Sequence, residues 1–290
     1  MTRVLHSALL LAVLASPTGV PALYAQNPPS ASPTPGHSPA GHAPPEQQQE
    51  KPQTGATTTL PNLSEKEGWP EPVADRATFG FLLFDNAEFQ RGGGPDALRW
   101  DVFGWRGGDV HRFWFKSEGR IATDSSEGSE FEAQALYGKL IAPFFDLQMG
   151  LRLDQRVREG SDPTRLYLSA GVQGLAPYRF EIEPTVFLSH KGQISARLTA
   201  TYDILLTQRL IVQPRLETNV AVQADEAIGI GAGWNDAELG ARVRFEVRRE
   251  FAPYLGVSWK ESFGATHRLT TAERGDPRHV VIVAGVRTWF

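Results

Sequence analysis

Between Asp236 and Arg248 the chain sorts its residues with a period of two. Ala237, Leu239, Ala241, Val243, Phe245 and Val247 fall on one side of an extended backbone, and Glu238, Gly240, Arg242, Arg244, Glu246 and Arg248 on the other. A helix, with its period near 3.6, would spread those charges around its circumference. The pattern repeats from Thr78 to the last residue. It predicts twelve strands over 78–89, 97–106, 110–121, 130–141, 143–153, 164–175, 177–189, 193–204, 208–223, 236–248, 251–262 and 279–290. No convincing amphipathic helix is predicted between them. Early strands are less regular: with Phe113 and Phe115 on the apolar side, Trp114 joins Arg112 and Lys116 on the charged face.

Such two-faced strands suit either a soluble sandwich or a barrel in lipid. Three features favour the barrel. The connections alternate in length: Ala142-Pro143, Ala176-Pro177, Leu206 to Gln208 and Glu250 to Pro253 are tight, whereas 155–163, 224–235 and 264–278 are longer, polar and Gly-rich. Outer-membrane barrels alternate periplasmic turns and external loops in this way. The last strand carries Val280, Ile282, Ala284, Val286 and Thr288 on one face and ends in Phe290, which resembles a barrel insertion signal. The N-terminus adds an export signal: Arg3, an apolar run from Ala8 to Ala15, then Pro17 and small residues near Ala22 and Ala25. The fold class is thus an all-β transmembrane antiparallel barrel. The expected units are a signal peptide at 1–25, a disordered periplasmic tail at 26–67 and the barrel at 68–290. An even strand number places both barrel ends on the periplasmic side.

Composition narrows the chemistry. A net charge of -4 over 290 residues gives no sign of nucleic-acid binding, and the absence of cysteine removes disulfides and thiolate metal sites. The tail is Pro-, Ser- and Gln-rich and too poor in apolar residues to offset its ordering entropy. Within it His37 and His42 repeat a Gly-His unit at a spacing of five. Imidazoles so placed are candidate metal ligands for divalent copper, nickel or zinc; the alternative is chance in a biased linker. On the inner face, Glu181, Glu183, Arg197, Asp203, Arg215, Glu217, Glu238, Arg242, Arg244 and Glu246 would line a lumen as paired packing charges or as a selective pore. A barrel hydrolase is the weaker reading. His111, His190, His267 and His279 lie at strand ends or loops, Ser189-His190 has no evident third member, and Gly229 to Gly233 lacks the helix a phosphate loop requires.

Several blocks resemble the copper resistance protein B family: Ala135-Leu136-Tyr137, Ile141 to Gln148, Gly171 to Tyr178, Leu206 to Leu210, Gln213 to Glu217, Arg248 to Tyr254, Trp69-Pro70 and Gly285 to Phe290. The resemblance implies a non-enzymatic protein of the cell outer membrane of Gram-negative bacteria, in contact with its lipid. It further implies binding of copper ions or their passage across that membrane, alongside a periplasmic multicopper oxidase. An alternative is a small outer-membrane channel or structural barrel without metal specificity. Family members often carry an N-terminal segment rich in Met and His. This chain keeps His37 and His42 there, with Met1 in the signal and Met149 on an apolar strand face. The family function is therefore expected to depend less on the tail than on the barrel.

Overall fold

The computed structural model describes residues 77–93, 96–123, 128–157, 163–272 and 276–290. The expected signal peptide, the tail and both of its histidines lie outside the described residues. The strands are β1 (Phe79–Arg91), β2 (Ala97–Gly107), β3 (His111–Ala122), β4 (Ser129–Ala142), β5 (Phe145–Val157), β6 (Thr164–Ala176), β7 (Phe180–Ser189), β8 (Ile194–Tyr202), β9 (Ile204–Leu205), β10 (Leu210–Ala221), β11 (Gly233–Phe245), β12 (Phe251–Ser262) and β13 (Arg278–Trp289). β8 and β9 both pair with β10 and form one stave interrupted at Asp203, so the sheet has twelve staves. Each is antiparallel to its neighbours, and the sheet closes through β1 with β13 and β10 with β11. Closure has a physical cause. An unpaired N–H or C=O in hydrocarbon costs several kcal/mol, and a closed barrel has no free edge. Among the described residues no helix is long and apolar enough to cross a membrane, which leaves crossing by strands untouched.

The two faces sort as the alternation predicts. Leu151, Leu168, Leu239, Leu255 and Ile282 project outward and are exposed, while Glu88, Gln134, Gln148, Arg242 and Arg244 project inward and are buried. Trp114 does lie among the inward charges, buried between Arg112 and Lys116. The tight turns expected at 142–143, 176–177, 206–208 and 250–253 and both barrel ends share one rim, while the short β7–β8 turn lies on the other. Around its outside stand Phe79, Phe113, Tyr137, Phe144, Tyr178, Phe180, Phe245, Phe251 and Phe290, all exposed, a collar of the kind that sits at a membrane interface.

The structure departs from the sequence reading in three places. The strand expected at 236–248 is β11, which begins earlier and ends at Phe245. Arg248 and Phe251 exchange both backbone hydrogen bonds (Arg248 N–H to Phe251 O, 3.1 Å; Phe251 N–H to Arg248 O, 3.2 Å). The hairpin therefore turns at Arg249-Glu250, and Pro253 belongs to β12. Glu246 and Arg248 lie beyond the last ladder pair of β11, Phe245 with Leu210: Glu246 is half-buried and its N–H donates to Arg209 O at 2.8 Å, while Arg248 is exposed at the turn. Tyr178, expected on a strand, sits in a single 3-10 turn with a φ of 67°. Finally, the loop expected at 264–278 contains a helix, α1 (Gly264–Ala272). Its support is tertiary: Thr266 Oγ1 accepts from Gly231 N–H (3.0 Å) and Asn235 Nδ2 (2.8 Å). Local propensity in a Thr-rich segment does not reveal it.

Candidate functional site in the barrel lumen

Register aligns what the sequence shows only as scattered charges. Asp101 of β2 lies opposite Glu118 of β3, Glu118 opposite Glu132 of β4, and Glu132 opposite Asp154 of β5. Four carboxylates thus form one rung on neighbouring staves. Like charges directly opposite one another are destabilising, so the rung requires cations from elsewhere. Arg152 of β5 supplies one, at 2.7 Å from Glu132 and 2.6 Å from Asp154. The others cross the lumen. Arg197 of β8 reaches Glu132 at 2.9 Å and Glu118 at 3.4 Å, and Arg215 of β10 reaches Asp101 at 3.1 Å. Glu217 lies between the crossing arginines, 2.9 Å from Arg215 and 3.8 Å from both Arg197 and Arg99. Arg99 continues to Glu238 at 2.9 Å, which also takes Lys260 at 3.3 Å. Aromatic faces hold two of the cations in place, since the Arg152 guanidinium lies 4.3 Å from the Phe187 ring centre and that of Arg197 lies 5.7 Å from it.

This network separates two cavities. On the side of the long loops is a cup of about 850 Å³, whose walls include Arg152, Asp154, Asp236, Glu238 and Lys260. On the turn side is a space of about 60 Å³, bordered by Asp85, Lys116, Glu183, Arg215 and Arg287. Glu118 and Arg197 border both.

Below the network the wall is pinned by a bulge and a buried ion pair. The β1–β2 register slips between Phe84 and Asn86, so the consecutive residues Asp85 and Asn86 both face inward. Asp85 accepts from Arg287 Nε at 2.7 Å, and Asn86 accepts from the Tyr254 hydroxyl at 3.3 Å. Glu88 receives Arg242 Nε and Nη2 at 3.1 and 3.2 Å and the Tyr254 hydroxyl at 3.0 Å. Toward the turns, Phe81, Phe103, Trp105, Trp114 and Trp289 form a chain of rings with centres 6.1–6.5 Å apart. Arg112 stacks 4.8 Å over Trp105.

The cup's rim is ordered by the loop between β10 and β11, where Glu226–Ile228 form a 3-10 turn closed by Gly229 at a φ of 70°. Asp225 anchors this loop to β6 by accepting from Arg165 Nε at 2.7 Å and Nη2 at 3.1 Å. Those hydrogen bonds hold the Asp225 carboxyl below the usual carboxylate range, against burial, which raises it. A depressed pKa contributes stability above the unfolded value, lost as pH falls through the folded one. Amide-exchange protection of residues 225–230, corrected for intrinsic rates, should therefore hold at neutral pH and fall as pH drops below about 4. Asp225→Asn should remove roughly 2 kcal/mol of that protection at pH 7 and most of its acid dependence. An unchanged acid profile in the variant would exclude this anchor.

The histidines do not converge. His111 stacks on Tyr137 with ring centres 5.8 Å apart near the turn rim, His190 lies in the β7–β8 turn, His267 is on α1, and His279 lines the cup. Among the described residues no group of three or more His, Cys, Asp or Glu could hold a metal ion. Arg197 and Arg215 sit on the lumen face as expected, but the rung and their reach across to it are not readable from alternation, which assigns each residue a face but not a register.

Residues 78–290 match the family described as "Copper resistance protein B precursor (CopB)". The chain belongs to the copper resistance protein B family. Copper resistance protein B of Escherichia coli is 43% identical over 218 residues, covering 75% of this chain and 72% of that one. The Copper resistance protein B homolog of Pseudomonas syringae pv. tomato is 37% identical over the same coverage. Among solved structures, the KdgM porin aligns at TM-score 0.43 with 12% identity, and the NanC porin at 0.47 with 10%; each alignment covers 72% of this chain and 99% of the porin. As a copper resistance B barrel, with an apolar exterior and an aromatic collar on its turn rim, the protein resides in the outer membrane.

Proposed function

We propose that this protein serves copper tolerance by passing copper ions through its barrel, without catalysis. The observation that carries the reading is the extent of the family match: it spans 78–290, the barrel itself, and leaves out His37 and His42. The lumen's chemistry supports a conduit over a resident site. Cysteine is absent and Met149 faces outward, so apart from His279 on the cup wall the inward donors among the described residues are mainly carboxylates engaged by arginines. Hard oxygen donors of this kind suit a divalent ion in transit and not tight capture of a soft monovalent one. The tail, released by cleavage of a signal over 1–25, would hang in the periplasm, where His37 and His42 could add weak imidazole capture close to a multicopper oxidase.

Deleting the gene and plating on copper tests the reading: loss of tolerance is expected, restored by the full chain. Wild-type tolerance in the deletion strain would overturn it. Complementation with a chain lacking 26–67, or carrying His37→Ala and His42→Ala, should restore most of the tolerance. Failure of both would move the function from the barrel to the tail.

A further inference from the structure

We propose that Arg197 is the bolt of a closed lumen, and that withdrawing it exposes a cation-selective path lined by the Asp101–Glu118–Glu132–Asp154 rung. Passage of copper through the barrel would require Arg197 to withdraw, but the proposal is tested independently of copper, because its readout is potassium and chloride.

Three observations carry it. First, Arg197 starts on β8 and ends on Glu118 of β3 and Glu132 of β4, staves that are not its neighbours in the sheet, so its side chain spans the bore. Second, Arg197 and Glu118 border both the cup and the smaller turn-side space, which makes their contact the partition between them. Third, the wall that Arg197 closes against is acidic by register, with four carboxylates opposite one another on β2 to β5. In the closed state the rung, Glu217 and Glu238 face Arg99, Arg152, Arg197, Arg215 and Lys260. Without Arg197, six carboxylates face four cations in a narrow bore of low-dielectric walls, which focus the field. Acidic rings of this kind select cations. Arg215 would remain tied to Asp101 and Glu217, and Arg152 to Glu132 and Asp154, so Glu118 loses its cation outright and Glu132 one of its two.

The experiment is single-channel recording of the purified full chain in planar bilayers with a tenfold KCl gradient. Folding is checked by migration on gels with and without boiling. The wild type should conduct little, and Arg197→Lys should resemble it. Arg197→Ser should raise conductance at least tenfold, with a reversal potential toward that of potassium. Adding Glu118→Gln and Glu132→Gln to that variant should keep the conductance and abolish the cation preference. Should Arg197→Ser fail to fold, Glu118→Gln with Glu132→Gln alone frees Arg197 from the far wall and should open the lumen with a preference for chloride. A folded Arg197→Ser chain that conducts no better than wild type, or that prefers chloride, would overturn the proposal.

Discussion

Replacing Arg242 with Ala should cost the folded barrel about 3–5 kcal/mol, because it strands a carboxylate with no access to water. The Glu88 side chain is fully enclosed, and its charge is met by Arg242 Nε and Nη2, with the Tyr254 hydroxyl as a further donor. Removing the guanidinium leaves two neutral hydrogen bonds, from the Tyr254 hydroxyl at 3.0 Å and Gln90 Nε2 at 2.8 Å, and no countercharge for a buried anion. Unfolding by urea from lipid vesicles, followed by the shift in gel migration, would show the loss as a lower midpoint. Pairing Arg242→Met with Glu88→Gln should recover most of it, since the cost lies in the unpaired charge and not in the missing pair. If Arg242→Ala shifts stability by less than 1 kcal/mol, Glu88 is not held as described.

Placing Arg at Leu151 should cost about 2–4 kcal/mol, and placing it at Val280 only about 0–1. Both side chains point outward and are about half exposed in the bare protein, at 49% and 52%, so exposure alone predicts the same small effect for each. Depth in the bilayer separates them. Leu151 is the middle residue of β5, beside Ala135 and Leu168, whereas Val280 lies near the loop-side start of β13. The measurement is equilibrium unfolding of each variant from vesicles. Equal costs at the two positions would mean that the outer face does not meet hydrocarbon at its middle and water at its rim.

The staves were legible in the sequence because lipid outside and charge inside impose a period of two that nothing else in the chain imitates. Even the unusual placement of Trp114 among charges followed from it. The failures share a cause: they sit where backbone hydrogen bonding and side-chain pattern part company. Alternation runs on through Glu246, Val247 and Arg248, but the main chain makes its last bond to the β10 side at Glu246 N–H and then enters a turn fixed by Arg248 and Phe251. The α1 helix depends on Thr266 meeting Gly231 and Asn235, contacts made more than thirty residues apart. For the site, the inward positions of Arg197, Arg215, Glu217 and Glu238 were readable, and the functional arrangement was not. A rung of four carboxylates exists only once β2 to β5 are in register, and the bulge at Asp85 shifts the phase of β1 by one residue.

The seam between β1 and β13 has a consequence for biogenesis. It joins Leu83 to Trp289 and is completed by Phe290, whose backbone N–H donates to Leu82 O at 2.9 Å and whose carbonyl accepts from Leu82 N–H at 3.1 Å. The partners are about two hundred residues apart, so the entropy of bringing them together cannot be recovered until β13 is available. A chain cut short by one stave keeps two unpaired edges, which are templates for aggregation in the periplasm. Through its two hydrogen bonds to Leu82, Phe290 thus helps to close the seam that leaves every preceding stave without a free edge.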